Sequence, residues 1–420
     1  MLKKEVDSTT ILYPNHRFKT NIIELFYPIK VEEKDLVSAL LVSHLLMHTS
    51  AAYPSEELHH KEVLKHSILH MGCGQAREGK QYFYKMSLVI PDAEALQEDV
   101  LEEAFAFFID TIYHPNIEGK GFQKEEFEKE LASLTLAVQN NNKDVLKYSY
   151  HTTINLLDTS GFLKEHLLFN HQDLLTTTTC GDAYAFYEKN IATTRPYIFV
   201  FGKVEEQSIK KLVQKYVLDK NLKIVPIQES LTNYLPCHEN PIVKEEKGPY
   251  HQSVLEMVYK VKDFTKKDQY LLRTVDLLLS SLSSLILHKF LRDKEQLVYQ
   301  TSSSCSSVLG TLWITALLYK ENKERAINSV KEAMESLKDI AYITPLLDNI
   351  HEKQRLSLIR RQDKKFALLH AEEDVYFGMD ESIEKQNEEM QKITAHDVQK
   401  FIERLELDVT YFLEGEKNAQ

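Results

Sequence analysis

The amino-acid sequence predicts an α+β protein built from two similar domains. Short segments with apolar side chains at every second position are typical of strands. They alternate with longer segments whose apolar residues recur every three or four positions, as in amphipathic helices. The order of these segments in the first half of the chain recurs in the second half. With 420 residues, of which 43% are hydrophobic, the chain can form two domains with cores of their own.

The first half begins with a strand and continues with helices that are apolar on one face. Alternation predicts two further strands, and Gly72 is placed to end the second helix. In chain order the predicted elements are a strand over 21–27, an apolar helix over about 36–47, a helix over about 55–70, a strand over 82–90, a helix around 100–109, an acidic helix over about 123–138, a strand over 197–202 and a helix around 209–216.

Two short patterns indicate that the second half repeats the first. The pentapeptide at 23–27, Ile-Glu-Leu-Phe-Tyr, reappears at 255–259 as Leu-Glu-Met-Val-Tyr. A Thr-x-x-Asp pattern at 179–182 recurs at 394–397, and in both places Thr suits a helix N-cap with Asp in the first turn. Because the matches occur in the same order before similar helices and strands, we expect two homologous domains, each an antiparallel-rich sheet packed with helices.

The predicted boundaries follow from where the periodicity stops. Residues 224–248 show little periodicity and contain three prolines and a Lys/Glu cluster, as an interdomain linker does. The sequence therefore predicts an N-terminal domain over 1–225, a linker over 226–246 and a C-terminal domain over 247–420.

Composition excludes several classes of function. The net charge is −12 and the acidic residues are spread along the chain, which argues against nucleic acid as a partner. The four cysteines share no metal-binding spacing and are too few for a disulfide framework. No apolar run reaches the roughly 18 residues of a membrane span, and the N-terminus has no apolar signal region. We expect a reduced, cytoplasmic protein without a membrane partner.

Two histidines stand out in the first apolar helix. His44 and His48 are four residues apart, so on a helix they project from one face, the geometry that a zinc ion needs from its first two ligands. In H-x-x-E-H peptidases the residue before the second histidine is a glutamate that deprotonates the zinc-bound water. Here that residue is Met47, whose thioether cannot accept the proton. The pair can equally consist of packed or solvated helix histidines, or form a residual weak zinc site.

The two-domain pattern, the histidine helix and a second-half motif together resemble the pitrilysin/insulinase family of zinc peptidases. The motif is Leu291-Arg292-Asp293-Lys294-Glu295-Gln296-Leu297-Val298-Tyr299, followed by a serine-rich strand. The resemblance covers nearly the whole chain and implies that each polypeptide is a half-shell of a clam-shell dimer. In such dimers one subunit holds the zinc. The other supplies an Arg and a Tyr, seven positions apart, that reach the substrate carbonyl. Arg292 and Tyr299 match this pair.

The departures from the family pattern concern the first half. The resemblance implies a third zinc ligand, a Glu on a helix some 75–80 residues after the second histidine, and Glu130 is the best alignment for it. A further family Glu corresponds here to Ala137. The resemblance therefore implies a degenerate site at His44, Met47, His48 and Glu130, with no metal or cofactor in this chain and zinc in the partner. It also implies a non-catalytic subunit of a heterodimeric peptidase, inactive alone.

Other interpretations remain open. The chain can be a non-enzymatic scaffold subunit of a larger complex, or a self-sufficient homodimeric peptidase, which Met47 disfavours. Arg292 and Tyr299 can also be an ordinary surface arginine and a packed tyrosine. Residues 280–284 stand where related non-catalytic subunits have a glycine-rich substrate loop, but no glycine run occurs here. The substrate, which could be a bacteriocin or other precursor peptide, its cleavage site and the identity of the partner do not follow from the sequence.

Overall fold

The computed structural model describes residues 3–15, 18–78, 80–227, 234–281, 286–360 and 383–416, together with residues 365, 367, 368, 370–372 and 375. The described chain forms two compact units. Unit 1 takes its residues from 1–137, 168–231 and 361–382, and unit 2 from 138–167, 232–360 and 383–420. Each unit therefore contains a segment from the opposite half of the sequence.

Unit 1 contains a six-stranded sheet in the order β1-β2-β9-β3-β5-β4. The strands β2 and β9 run parallel, and the other neighbours are antiparallel. Four short strands form two small separate sheets, β6 with β7 and β8 with β10. The strands are β1 Lys4–Asp7, β2 Thr10–Pro14, β3 Thr20–Ile29, β4 His70–Glu78, β5 Gln81–Pro91, β6 Ile117–Glu118, β7 Gly121–Phe122, β8 Thr194–Arg195, β9 Tyr197–Gly202 and β10 Lys223–Ile224.

The helices of the first half of the chain begin and end at the following residues: α1 Leu36–Leu45, α2 Glu56–Lys65, α3 Ala93–Leu96, α4 Leu101–Tyr113, α5 Lys124–Lys143, α6 Val145–Leu157, α7 Phe162–Glu165, α8 Leu174–Thr177, α9 Cys180–Tyr187 and α10 Glu206–Tyr216. The predicted second helix is shorter than expected, because residues 70–78 are an edge strand. Gly72 and Gly74 lie inside that strand rather than after a helix.

Unit 2 contains a five-stranded sheet in the order β11-β15-β12-β14-β13. Its strands are β11 Ile242–Gly248, β12 Ser253–Val261, β13 Val298–Ser306, β14 Thr311–Leu318 and β15 Leu405–Gly415. Its further helices are α11 Asp268–Ser280, α12 Ile286–His288, α13 Lys323–Ser336, α14 Ile340–Arg360, α15 Ile383–Gln391 and α16 Ala395–Ile402. Residues 242–246, assigned to the linker from the sequence, belong to β11, which pairs parallel with β15. Their alternation of exposed and half-buried side chains is that of an edge strand.

The two large sheets have the same topology. When β1 is left out, the order is β2-β9-β3-β5-β4 in unit 1 and β11-β15-β12-β14-β13 in unit 2. In both sheets the first two strands of this order are parallel, and all other neighbouring strands are antiparallel. Both second strands bury a glutamate. Glu24 accepts a hydrogen bond from Ser87, directly opposite on the fourth strand, and Glu256 accepts one from Thr315 at the matching place. The α+β class, with antiparallel-rich sheets packed with helices, is confirmed.

Both faces of each large sheet are covered. On the first face of the unit 2 sheet, apolar side chains pack against α11, α13, α14 and α16. The second face packs against α6, through Ile154 and Leu157 next to Trp313 and Val258. In unit 1 the second face packs against Ala367, Ala371 and Val375. Because both faces are packed against other elements, the central strands β3 and β12 are buried almost throughout rather than on alternate residues.

The end of α6 is fixed to the unit 2 sheet by a buried ion pair. Lys260 on β12 is fully buried, and its Nζ lies 2.9 Å from Oδ2 of Asp408 on β15. The same ammonium donates to the carbonyl of Leu157, the last residue of α6, and to that of Pro236. Asp408 also accepts from the backbone N–H of His238. Removing the Asp408 carboxylate would leave the Lys260 ammonium buried without its counter-ion, whereas Asp408 without Lys260 would keep its hydrogen bonds to His238.

None of the helices in the described part of the chain has the length and apolar character that crossing a lipid bilayer needs.

Replacing Leu157 by Ala tests whether the second half of the chain needs α6. Leu157 is fully buried beside Trp313, the single tryptophan, so the cavity should lower the free energy of unfolding by about 2–5 kcal/mol. Denaturant unfolding followed by Trp313 fluorescence measures this loss. The matched control, Leu136→Ala at an exposed position on α5, should change it by less than about 0.5 kcal/mol. An unshifted Trp313 transition in Leu157→Ala would show that α6 does not stabilise unit 2.

Candidate functional site

The histidine segment lies at the end of α1. The helix follows a 3-10 turn over Glu33–Asp35 and ends at Leu45, two residues earlier than predicted. His44 is therefore in the last helical turn, and His48 is in the irregular turn that follows. Both imidazoles are exposed, and 59% of the His44 side chain is accessible. Met47 points the other way and is only 7% exposed.

Two glutamates one turn apart on α5 approach this segment. Oε2 of Glu130 lies 3.6 Å from Nδ1 of His44, so the structure brings together these two predicted site residues. Glu126, which the sequence alignment did not select, accepts a hydrogen bond of 2.9 Å from the hydroxyl of Thr49, the residue after His48. Glu126 is four residues before Glu130, so on a helix both side chains lie on one face, and this spacing could have identified Glu126 from the sequence.

Glu126 is partly withdrawn from water. Burial raises the pKa of its carboxyl above the usual value, and hydrogen bonds from Thr49 and Asn116 partly offset that effect. Nearby, His59 is buried against the ring of Phe107, and burial lowers the pKa of its imidazole to about 4. His59 is therefore neutral at pH 7, and its Nε2 is 3.2 Å from the hydroxyl of Thr111.

The donor set of this segment does not fit a catalytic zinc ion. Such a site needs three protein ligands converging on one point, with a base beside the bound water. Within the described ranges, which include all four residues of the predicted site, no three His, Cys, Asp or Glu side chains come together as a metal site would require. The position of the base holds the buried thioether of Met47. We derive no chemical step through a metal in this chain.

Arg292 and Tyr299 flank a tight turn before the edge strand of unit 2. Arg292 is exposed within a π-helical turn over Lys289–Asp293, and the chain then reverses through Gln296, whose φ is +52°. Tyr299 is the second residue of β13, at a register shift between Val298 and Gln300. Such bulges redirect side chains at sheet edges.

The polar ends of both side chains are available. Tyr299 is 41% exposed, and its ring packs edge-to-face on Tyr319 with centroids 4.8 Å apart. Among the described residues, neither the Arg292 guanidinium nor the Tyr299 hydroxyl has a hydrogen-bond or ion-pair partner. The arrangement can therefore offer a cationic fork and a phenol to a group outside this chain. The serine-rich stretch at 280–284 lies largely outside the described residues.

Comparisons with known proteins relate this chain to metallopeptidases. Residues 178–344 match a family model described as the peptidase M16 inactive domain. A probable inactive metalloprotease YmfF of Bacillus subtilis is 21% identical, with 98% of this chain and 96% of that protein covered.

Solved structures share the fold. A conserved protein from Enterococcus faecalis superposes with a TM-score of 0.85 at 20% identity, covering 100% of this chain and 99% of the other. The periplasmic protease PqqL from Escherichia coli gives a TM-score of 0.71 at 11% identity, with 99% of this chain but 46% of that longer chain covered. The resemblance to the pitrilysin/insulinase type of metallopeptidase, inferred from the motifs, is confirmed by the match to the M16 inactive-domain model and by the inactive relative.

We expect the purified chain alone to hold less than one tightly bound zinc ion per molecule and to hydrolyse no peptide. The reason is that His44 and Glu130 meet without a third ligand, and that Met47 cannot act as the base. Dialysis against zinc followed by elemental analysis measures the content, with His44→Ala as the reference. Stoichiometric zinc and hydrolysis that both disappear in His44→Ala would refute this expectation.

Proposed function

We propose that this chain, an inactive relative of the M16 metallopeptidases, is the non-catalytic subunit of a heterodimeric zinc peptidase. Its partner would be a homologous subunit with an intact H-x-x-E-H site and its zinc ion. This chain would contribute Arg292 and Tyr299 to that site in trans, and the substrate would be a peptide. The observation that carries the proposal is the contrast between the two halves. The histidine segment has Met47 where a base would stand, whereas the Arg/Tyr pair is exposed and its donors have no partner among the residues that the structure describes.

The Arg/Tyr pair is suited to stabilising an oxyanion. When water attacks a peptide carbonyl, negative charge develops on the oxygen, and a positioned guanidinium and phenol can both donate hydrogen bonds to it. Tyr299 is held by its edge-to-face contact with Tyr319 and by the start of β13, so its ring is oriented before substrate arrives. Arg292 stands on the short π-helical turn rather than on a long flexible loop.

A dimeric chamber is consistent with the repeated topology. The two sheets have the same strand order, which supports an internal repeat of two homologous domains over 1–225 and 247–420. This chain covers a little under half of the longer PqqL protease. A peptidase chamber of that size therefore needs two chains like this one. The short chain and its partner would then correspond to the two halves.

Peptide substrates fit the free sheet edges. The strand β4 in unit 1 and β13 in unit 2 are the last strands of their sheets, and an extended peptide can pair with such an edge through main-chain hydrogen bonds. Main-chain recognition leaves the sequence preference loose, and a precursor or bacteriocin leader peptide would satisfy it.

A cytoplasmic location is part of the proposal, and it rests on the four free thiols, at Cys73, Cys180, Cys237 and Cys305.

Two rival functions make different demands on the same residues. A non-enzymatic scaffold subunit has no use for an exposed guanidinium and phenol with unused donors. A self-sufficient homodimeric peptidase would need a base at Met47. The experiments below separate all three.

The first experiment is co-expression with an H-x-x-E-H homologue encoded beside this chain. We expect size-exclusion chromatography with light scattering to show a 1:1 complex that cleaves peptides, with zinc in the partner only. The chain alone serves as the control. If it remains monomeric in the presence of that homologue, the heterodimer proposal fails.

The second experiment replaces Arg292 by Ala and Tyr299 by Phe within the complex. Losing one oxyanion donor typically costs about 10²–10³-fold in kcat, so turnover should fall by this factor while assembly and partner zinc stay unchanged. Arg292→Lys should recover only part of the rate, because an ammonium lacks the planar fork.

Matched controls are available close by. Tyr319→Phe and Arg325→Ala change an exposed tyrosine and an exposed arginine of the same unit and should leave turnover near wild type. Wild-type turnover per assembled complex in both Arg292→Ala and Tyr299→Phe would exclude the proposed role and favour a scaffold.

A further inference from the structure

A small cavity opens on the second face of the unit 2 sheet. Its volume is about 210 Å³, which leaves room for several water molecules. Leu146 on α6 and Leu317 on β14 supply apolar walls, and the half-exposed ring of Tyr150 stands beside them. Gln300 on the edge strand β13 lines it as well.

The floor of the cavity is a row of polar side chains that crosses three strands. Glu256 on β12 is opposite Thr315 on β14, and Thr315 is opposite Ser302 on β13. Exposure rises along the row, from 2% at Glu256, through a half-buried Thr315, to an exposed Ser302 at the free edge. The row thus connects a buried carboxyl group with the rim of the sheet.

Glu256 has hydrogen-bond partners but no counter-ion. Its Oε2 accepts from the hydroxyl of Thr315 at 2.6 Å, and its Oε1 from that of Ser149 on α6 at 3.3 Å. Among the described residues no lysine, arginine or histidine pairs with it. The cavity lining contains no basic side chain either. The only full charge that the cavity can develop near neutral pH is therefore negative.

From this geometry we infer that the cavity binds a small organic cation, an alkylammonium or alkylguanidinium group, with Glu256 as its counter-ion. The apolar walls would enclose the alkyl chain, and the Tyr150 ring can contribute a cation–π contact. The oxygens of Thr315 and Ser302 would accept the remaining N–H groups. The source can be a free amine or the basic side chain of a peptide along β13.

The protonation of Glu256 makes binding dependent on pH. Burial raises the pKa of its carboxyl to about 8, so the group is largely neutral in the free protein at pH 7. The unfolded chain loses this proton near pH 4.5, so between about pH 4.5 and 8 the group lowers the stability of the folded state progressively. A bound cation favours the ionised carboxylate, and its affinity should therefore rise with pH through this range.

Other titratable groups around Glu256 are few. Tyr411 on β15 is its register partner, and Glu246 on β11 lies beyond it, hydrogen-bonded to Tyr148 on α6. The helix also carries Tyr150 and His151, while β13 and β14 present no ionisable side chain to the cavity. Burial lowers the pKa of His151, so this imidazole is neutral at pH 8.

The test uses the whole chain and n-propylguanidinium and n-butylammonium as probes, with neutral n-propylurea for comparison. The Tyr150 ring centroid is 5.2 Å from that of Trp313, so occupancy should change the fluorescence of the single tryptophan. We expect saturable changes with both cations at pH 8, weaker affinity at pH 6.5, and no change with n-propylurea.

Glu256→Gln removes the charge; its amide oxygen can accept from one of the two hydroxyls, and its amide N–H can donate to the other. It should weaken cation binding by about 10- to 100-fold and should stabilise the chain more at pH 8 than at pH 5. Glu246→Gln, outside the cavity, should bind like wild type. Wild-type affinity in Glu256→Gln, or equal binding of n-propylurea, would overturn the proposal.

A second variant covers the case in which Glu256→Gln does not fold. Ser302→Arg places a tethered guanidinium at the mouth of the cavity and should block both probes, whereas Ser304→Arg, two residues along β13, should not. Blocking by neither variant counts against the site. A peptide with capped ends and one arginine distinguishes the two sources of the cation. If it binds more tightly than n-propylguanidinium and loses this affinity when arginine is replaced by citrulline, the ligand is a peptide side chain. If the two affinities are equal, the ligand is a free amine.

Discussion

The structure depends on the need to cover both faces of each large sheet. β3 and β12 are buried on both sides and most of their side chains are apolar, so a single layer of helices would leave one face exposed to water. Unit 2 solves this with α6, a helix from the first half of the chain, and unit 1 with helical residues between 365 and 375, from the second half. Neither half of the sequence therefore contains all of its own core.

This exchange explains where polar groups are tolerated in the interior. The second face of the unit 2 sheet carries Glu256 and Lys260 four residues apart on β12, both fully or almost fully buried. Lys260 is neutralised by Asp408 and bonds to the last carbonyl of α6. Glu256 bonds to Ser149 in the middle of α6. Each polar group thus fixes the exchanged helix at one point, whereas the apolar contacts around Trp313 fix its distance from the sheet.

The two predicted site segments lie in separate turns of the chain. The end of α1 places His44 against Glu130, and the nearby Met47 side chain is buried. The turn before β13 keeps Arg292 and Tyr299 exposed, because a π-helical turn and a bulge direct them outward while Leu291 and Val298 pack inside. An apolar side chain at Met47, in the turn after α1, does not change the packing of the turn before β13. Each turn is formed by its local backbone and its own core contacts.

The sequence by itself determined the elements that have strong local signals. Alternation and clustered β-branched residues placed β3, β5 and β9 within one or two residues, and the capping pattern of Thr394 and Asp397 placed α16. The i, i+4 spacing singled out His44 and His48, and the resemblance to the peptidase family suggested Met47, Glu130, Arg292 and Tyr299; the structure brings His44 and Glu130 together. Only the tertiary structure decided that Gly72 and Gly74 lie in an edge strand, that Glu126 reaches the histidine turn, and that α6 packs in unit 2. These outcomes depend on contacts between residues far apart in the chain, for which local periodicity carries no signal.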